Sequence, residues 1–174
     1  MQIVEKHLPT NCYSTKALYP KGIVLHHISA KNINLNQRYD NDLIYKIFVD
    51  YKVSAHYMIL RDGTVWELVP PTNQAWHAGK SKFRGESGLN HTFLGIEFVG
   101  SDLDDFTEAQ YDAGGRLIKQ LMEKYKIPSH MITMHRIAST HKVRSDPKLD
   151  PSDRFDWVKL SHYIQNTTIF NSFL

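Results

Sequence analysis

Residues 22–29 read GIVLHHIS. The run is apolar and β-branched, the composition of a buried strand, and it is short enough to be a strand rather than a helix. Side chains alternate across a strand, so His26 shares a face with Val24 and Ile28, while His27 joins Ile23 and Leu25 on the other. Only one of the two imidazoles can therefore point into a given site.

Two further stretches resemble this strand. Phe93–Val99 is a second buried run closed by Gly100, and Met131–Met134 is a short one that delivers His135. Ala55–Arg61 and Thr64–Val69 flank Asp62-Gly63, a hairpin signal because both turn positions accept positive φ, and Pro70-Pro71 stops the second arm.

Helices fill the spaces between. Leu43, Ile44, Ile47, Phe48 and Tyr51 recur at helical spacing behind the cap Asp40. Thr107 and Gln110 form a capping box, Phe106 can staple onto Tyr111, and an apolar face runs through Leu117, Ile118, Leu121, Met122 and Tyr125 until Pro128. Phe155–Ile169 predicts a terminal helix. Thr72–Asn90, rich in Gly, Ser, Asn and His, reads as a long functional loop without elements of its own. No repeat or linker interrupts the pattern, so residues 1–174 are expected to form one mixed α/β domain.

Bulk composition narrows the function. Hydrophobic residues make up 41% and charged residues 22% of 174, an ordinary globular balance. The lone cysteine, Cys12, excludes an internal disulfide and a thiolate-rich metal site, and suits a reducing cytosol. Residues 1–11 lack the apolar core and cleavage site of a signal peptide, and no stretch is apolar enough to span a bilayer, so stable membrane insertion is not expected. The net charge of +3 favours anionic partners. Its basic residues are scattered and carry no nucleic-acid-binding signature, which argues against nucleic acid as the partner.

His26 and His135 both sit on strands, where a rigid backbone can aim an imidazole at a shared pocket. With one carboxylate they would give three protein ligands and an open fourth position, the pattern of a catalytic zinc site. Taken singly, each is more often a hydrogen-bonded core or surface histidine.

The motifs VLHHIS (24–29), SAHYMILRDGTVWELVP (54–70), AWHAG (75–79), LGIEFVG (94–100), FTEAQY (106–111), MHRIAS (134–139) and KLDPSDRFDW (148–157) change that balance. Together, and in this order, they resemble the type 2 N-acetylmuramoyl-L-alanine amidases, a family that includes cytoplasmic recycling enzymes of the AmpD type, phage endolysins and animal peptidoglycan-recognition proteins. The similarity runs from about Gly22 to Trp157. It implies a central mixed β-sheet flanked by helices, and one Zn²⁺ per chain held by His26, His135 and Asp150. It also implies catalytic helpers at Glu97 and Lys148, and peptidoglycan or a muropeptide as substrate for a monomeric enzyme.

Asp146-Pro147 nearly duplicates Asp150-Pro151, but the family pattern has a lysine two residues before the ligand and Phe-Asp-Trp soon after it, which Lys148 and 155–157 supply for Asp150. Trp76 and His77 resemble the family's substrate loop, with His56 a further candidate for the site rim. Where some phage relatives carry a catalytic tyrosine this chain has Ala55, which resembles the AmpD branch, and Gly88 stands where that branch has a substrate-binding arginine. The loop between His135 and Asp150 is longer than the family's, and its basic insert His141-Lys142-Val143-Arg144 has two readings, a contact to glycan or peptide carboxylates and a merely solvated segment, of which the second is favoured. His27, His91, His130, His141 and His162 read as surface or supporting residues.

Three functions compete at this level. The first is an amidase, acting on soluble muropeptides in the cytosol or on the wall after holin-mediated release; the AmpD-like motifs favour the former, the small basic chain the latter. The second is a recognition module that binds without cutting, against which the retained third ligand argues. The third is a zinc peptidase cutting within the stem peptide.

Overall fold

A computed structural model describes residues 2–166. Six strands make one mixed sheet, joined in the order β1 (Ile3–Glu5), β5 (Val65–Glu67), β4 (Tyr57–Ile59), β9 (Phe93–Val99), β3 (Gly22–Ile28), β10 (Ile132–Met134). Only the β4–β5 pair is antiparallel. β9 lies between β3 and β4, and all seven of its residues are buried, which is why its sequence carries no polar alternation apart from Glu97.

Each face of the sheet has its own core. On one side Ile23, Leu25, Ile96 and Phe98 pack with Leu117, Ile118 and Leu121 of α2 (Glu108–Tyr125) and with Leu160 of α4 (Trp157–Asn166). On the other, Ile44 and Phe48 of α1 (Asn41–Tyr51) pack with Met58, Leu60, Leu68 and Val99. The alternation read from GIVLHHIS is thus realised: the Ile23 and Leu25 face meets α2, and the Val24 and His26 face looks the other way.

Both expected caps are present. Asp40 accepts from the Leu43 amide at 2.7 Å, and Thr107 and Gln110 form the capping box. The hairpin forms, with a different turn. Only Gly63 takes a positive φ, of 86°, while the Asp62 carboxylate accepts from the Thr64 amide at 2.9 Å, so the loop is the three-residue kind with glycine in the left-handed position.

The stretch Thr72–Asn90 is more ordered than its sequence suggests. β6 (Asn73–Ala75) pairs antiparallel with β2 (Tyr13–Ala17), β7 (Lys82–Phe83) pairs with β8 (Glu86–Ser87), and a 3-10 turn covers Leu89–His91. Strands of two or three residues are too short to show a period, and the partner of β6 lies about sixty residues away. The terminal helix begins at Trp157 behind the cap Asp156, two residues later than expected, and its expected end at Ile169 lies outside the described residues. No helix of the described residues is long and apolar enough to cross a membrane.

Candidate metal centre and cleft

The cleft opens on the His26 face of β3, β9 and β10, beyond the part of the sheet that α1 covers. His26 is in register with Glu97 on the adjacent strand, so both side chains leave the sheet on the same side. His135 follows β10 at the start of the short helix α3 (His135–Ala138). Asp150 arrives on a loop pinned by the Arg136 amide to the Asp150 carbonyl at 2.8 Å and by the Ser152 amide to His27 Nδ1 at 3.2 Å. His27, facing the other way, therefore supports the loop that carries the carboxylate.

Three atoms converge. His26 Nδ1, His135 Nδ1 and Asp150 Oδ2 lie 3.0, 3.0 and 3.1 Å from one another. Asp146, the near duplicate, is elsewhere: its carboxylate is exposed and bonded to Arg144.

The outer ring nitrogens decide where the protons are, and tautomers can be assigned from their partners. His77 Nε2 lies 3.1 Å from the Phe93 carbonyl oxygen, which can only accept, so that nitrogen carries the proton and His77 Nδ1 is bare. His26 Nε2, 3.0 Å from His77 Nδ1, must then donate to it, which leaves His26 Nδ1 bare. Burial and the neighbouring His135 hold His26 neutral, its pKa lowered to about 4. His135 Nε2 donates to the Ala78 carbonyl at 3.2 Å, so a ring with one proton carries it there and turns a bare Nδ1 inward. Asp150 Oδ2 faces these two bare nitrogens at 3.0 and 3.1 Å.

The result is a triangle of three lone-pair donors with no proton on any edge. Such an arrangement is unfavourable unless a cation sits among the three. Two imidazoles and a carboxylate at these separations are compatible with ordinary zinc–ligand distances of about 2.0–2.2 Å.

Glu97 completes the floor. It is 9% exposed, its Oε2 is buried without a hydrogen-bond partner among the described residues, and burial together with the Asp150 charge pushes its carboxyl well above the usual range. An unpartnered buried carboxyl oxygen lining a cleft is a group held ready for something that enters. Lys148 lines the same cleft, its backbone held by the Ser139 carbonyl at 3.1 Å.

The wall is the loop Trp76–Gly79. Asn90 Oδ1 accepts from the amides of His77 and Ala78, at 3.0 and 2.7 Å, and the Trp76 amide donates to Ser54 Oγ at 2.8 Å. Trp76 is 38% exposed at the cleft edge, where a flat apolar surface suits a sugar or peptide plane. Gly95 is required beneath this wall, since a Cβ there would lie 2.5 Å from His77 Cγ.

Two expected substrate contacts are placed differently. His56 is fully buried, accepting from the Gly95 amide at 2.9 Å and donating to the Asn73 carbonyl at 3.0 Å, so it ties β9 to β6 and is not a rim residue. His77 lines the cleft, but both its ring nitrogens are engaged inside the protein, which makes it a positioning residue for His26. The basic insert divides between solvent and cleft. His141 and Lys142 are exposed, as a solvated insert should be, whereas the Arg144 side chain is 17% exposed and lines the cleft.

Comparison with known proteins agrees with this geometry. The family model described as N-acetylmuramoyl-L-alanine amidase matches residues 16–153. The 1,6-anhydro-N-acetylmuramyl-L-alanine amidase AmpD of Haemophilus influenzae is 32% identical over 176 residues, spanning 90% of this chain and 94% of that protein. A crystal structure of AmpD superposes with a TM-score of 0.72 at 26% identity, covering 92% of this chain and 94% of the other. The amidase AmiD of Escherichia coli, solved with the substrate anhydro-N-acetylmuramic acid-L-Ala-D-γ-Glu-L-Lys, superposes at 0.63 with 27% identity, covering 83% of this chain and 57% of that one.

Proposed function

Because the chain belongs to the N-acetylmuramoyl-L-alanine amidase family, we propose that it hydrolyses the amide between the muramic-acid lactyl group and L-alanine of a muropeptide, with one zinc ion held by His26, His135 and Asp150. The observation that carries this reading is the convergence of His26 Nδ1, His135 Nδ1 and Asp150 Oδ2 beside the unpartnered Glu97 oxygen.

Zinc bound there supplies Lewis acidity, polarising the scissile carbonyl and bringing the ionisation of water from ~15.7 toward about 7. The remaining steps belong to the chain. Glu97 takes the proton of the attacking water and returns it to the alanine nitrogen, which cannot leave as an anion. Lys148 sets an ammonium beside the oxyanion that grows on the lactyl carbonyl. Trp76 offers its ring to the substrate at the cleft edge. All these groups come from one chain, so a monomer suffices.

The Haemophilus relative is named for a 1,6-anhydro sugar, and the AmiD structure holds an anhydro-muramic acid peptide. We assign this chain the same soluble substrate class, which makes it a recycling rather than a lytic enzyme. Incubation with soluble anhydro-muropeptide and, separately, with intact sacculi tests the assignment. Release from the soluble substrate of peptides beginning with free L-alanine is expected. Cleavage of sacculi alone would replace the recycling role by a lytic one, cleavage within the stem peptide would make the protein a peptidase, and cleavage of neither substrate would remove the activity.

The relay behind His26 makes a second expectation. His77→Leu, which deletes the acceptor for His26 Nε2–H, should weaken zinc binding by about 10- to 100-fold. His77→Asn sets an amide oxygen near the place of Nδ1 and should retain most of the affinity. Competition against a chromophoric chelator measures both, and equal affinities for the two variants would show that the relay does not hold the ligand.

A further inference from the structure

We propose that Arg144 forms a carboxylate-binding subsite in the cleft, one that selects muropeptides whose stem-peptide carboxylates are free over those in which they are amidated. The inference rests on the muropeptide reading of the site and names the part of that substrate this chain singles out.

Arg144 comes from the insert between His135 and Asp150, and the segment around it is folded. The amides of Val143 and Arg144 both donate to the Thr140 carbonyl, at 2.8 and 3.0 Å, and the Lys148 amide closes the segment onto Ser139. Asp146 then grips one edge of the guanidinium with two oxygens, Nε to Oδ1 at 2.9 Å and Nη2 to Oδ2 at 2.7 Å. Asp146 is 70% exposed and Arg144 17%, so the carboxylate holds the guanidinium from the solvent side and the rest of the group lies inside.

What faces the cleft is Nη1. It makes no hydrogen bond among the described residues, and it lies 3.8 Å from where a Cβ on Gly79 would stand, against the Trp76–Gly79 wall. A planar cation fixed along one edge presents its remaining N–H groups in a fixed direction, the geometry that binds a carboxylate well. The other ionisable acid and base groups lining the cleft, its histidines apart, are Glu97, Lys148 and Asp150. An anion entering beside Gly79 meets Arg144, whose Nη1 stands against that part of the wall. The stem peptide of a muropeptide carries such carboxylates on its amino-acid residues, whereas its sugar in the anhydro form carries none.

Binding is best read without turnover, on a Glu97→Gln background loaded with zinc, using an anhydro-muramoyl tripeptide with free carboxylates and the same tripeptide with its carboxylates amidated. The free form should bind about 10- to 100-fold more tightly by calorimetry, the range of a charge-assisted pair. Adding Arg144→Ala should remove that ratio by weakening only the free form, and Arg144→Lys should restore part of it. Losses from Arg144→Ala and from amidation that multiply independently would overturn the subsite, because two changes to one contact cannot be additive. Equal binding of the two ligands would overturn it as well. A carboxylate preference that survives while the parent enzyme cleaves no muropeptide would leave the subsite standing and remove the amidase reading alone.

Discussion

Replacing Asp150 with alanine is expected to lower the amidase rate on the order of 10³-fold or more and to leave the protein without zinc after dialysis, while Asp146→Ala retains one zinc per chain. The two aspartates sit in nearly identical Asp-Pro contexts four residues apart, so sequence position alone does not separate them. Their surroundings do. Asp150 Oδ2 is 3.0 and 3.1 Å from two bare imidazole nitrogens, whereas Asp146 spends both oxygens on Arg144 at the surface. Losing Asp150 removes one of three ligands and the negative charge that offsets part of the ion's own. Thermal unfolding supplies a readout free of turnover: added zinc should raise the midpoint of the parent protein and of Asp146→Ala but not that of Asp150→Ala. Equal zinc content in the two variants would mean that the triangle is not the metal site.

The fold was legible where the hydrophobic pattern is local. GIVLHHIS assigned His26 and His27 to opposite faces by alternation, and Thr107 with Gln110 marked the start of α2 through a contact spanning three residues. Features that depend on distant partners were not. β6 exists because β2 pairs with it, and His56 is internal because Gly95 and Asn73 claim its two nitrogens. His77 illustrates the limit most directly. Its place in a motif pointed to the cleft, but its role comes from Phe93 on one side and His26 on the other, and from a glycine at 95 that leaves room for the ring. For Arg144 the sequence left two readings of a charge-rich insert, substrate contact and solvation, and the fold shows which of its side chains turns inward. Asp150 was chosen over Asp146 by resemblance, and spatial convergence supports that choice on independent grounds.

Glu97→Gln should lower kcat by about 10²- to 10⁴-fold while leaving zinc bound, because the amide keeps the shape of the side chain but can neither take up the water's proton nor return it. The same residue makes a stability expectation of definite sign. In the metal-free protein, burial and the Asp150 charge raise its carboxyl pKa well above the ordinary 4.5. The native state therefore holds a proton that the unfolded chain has already released, and native stability falls as the pH rises from about 4.5 through the folded pKa. Glutamine has no proton to lose, so metal-free Glu97→Gln should match the parent at low pH and become the more stable of the two as the pH increases. Zinc should narrow the difference, since a cation among His26, His135 and Asp150 offsets the charge that repels ionised Glu97. In activity, the rise of the parent's rate with pH that reports deprotonation of Glu97 should be missing from the variant's residual rate. Urea unfolding across pH, with and without zinc, beside the pH–rate profile separates the two roles. A variant that loses activity but shows the parent's pH-dependent stability would place the perturbed proton on some other group.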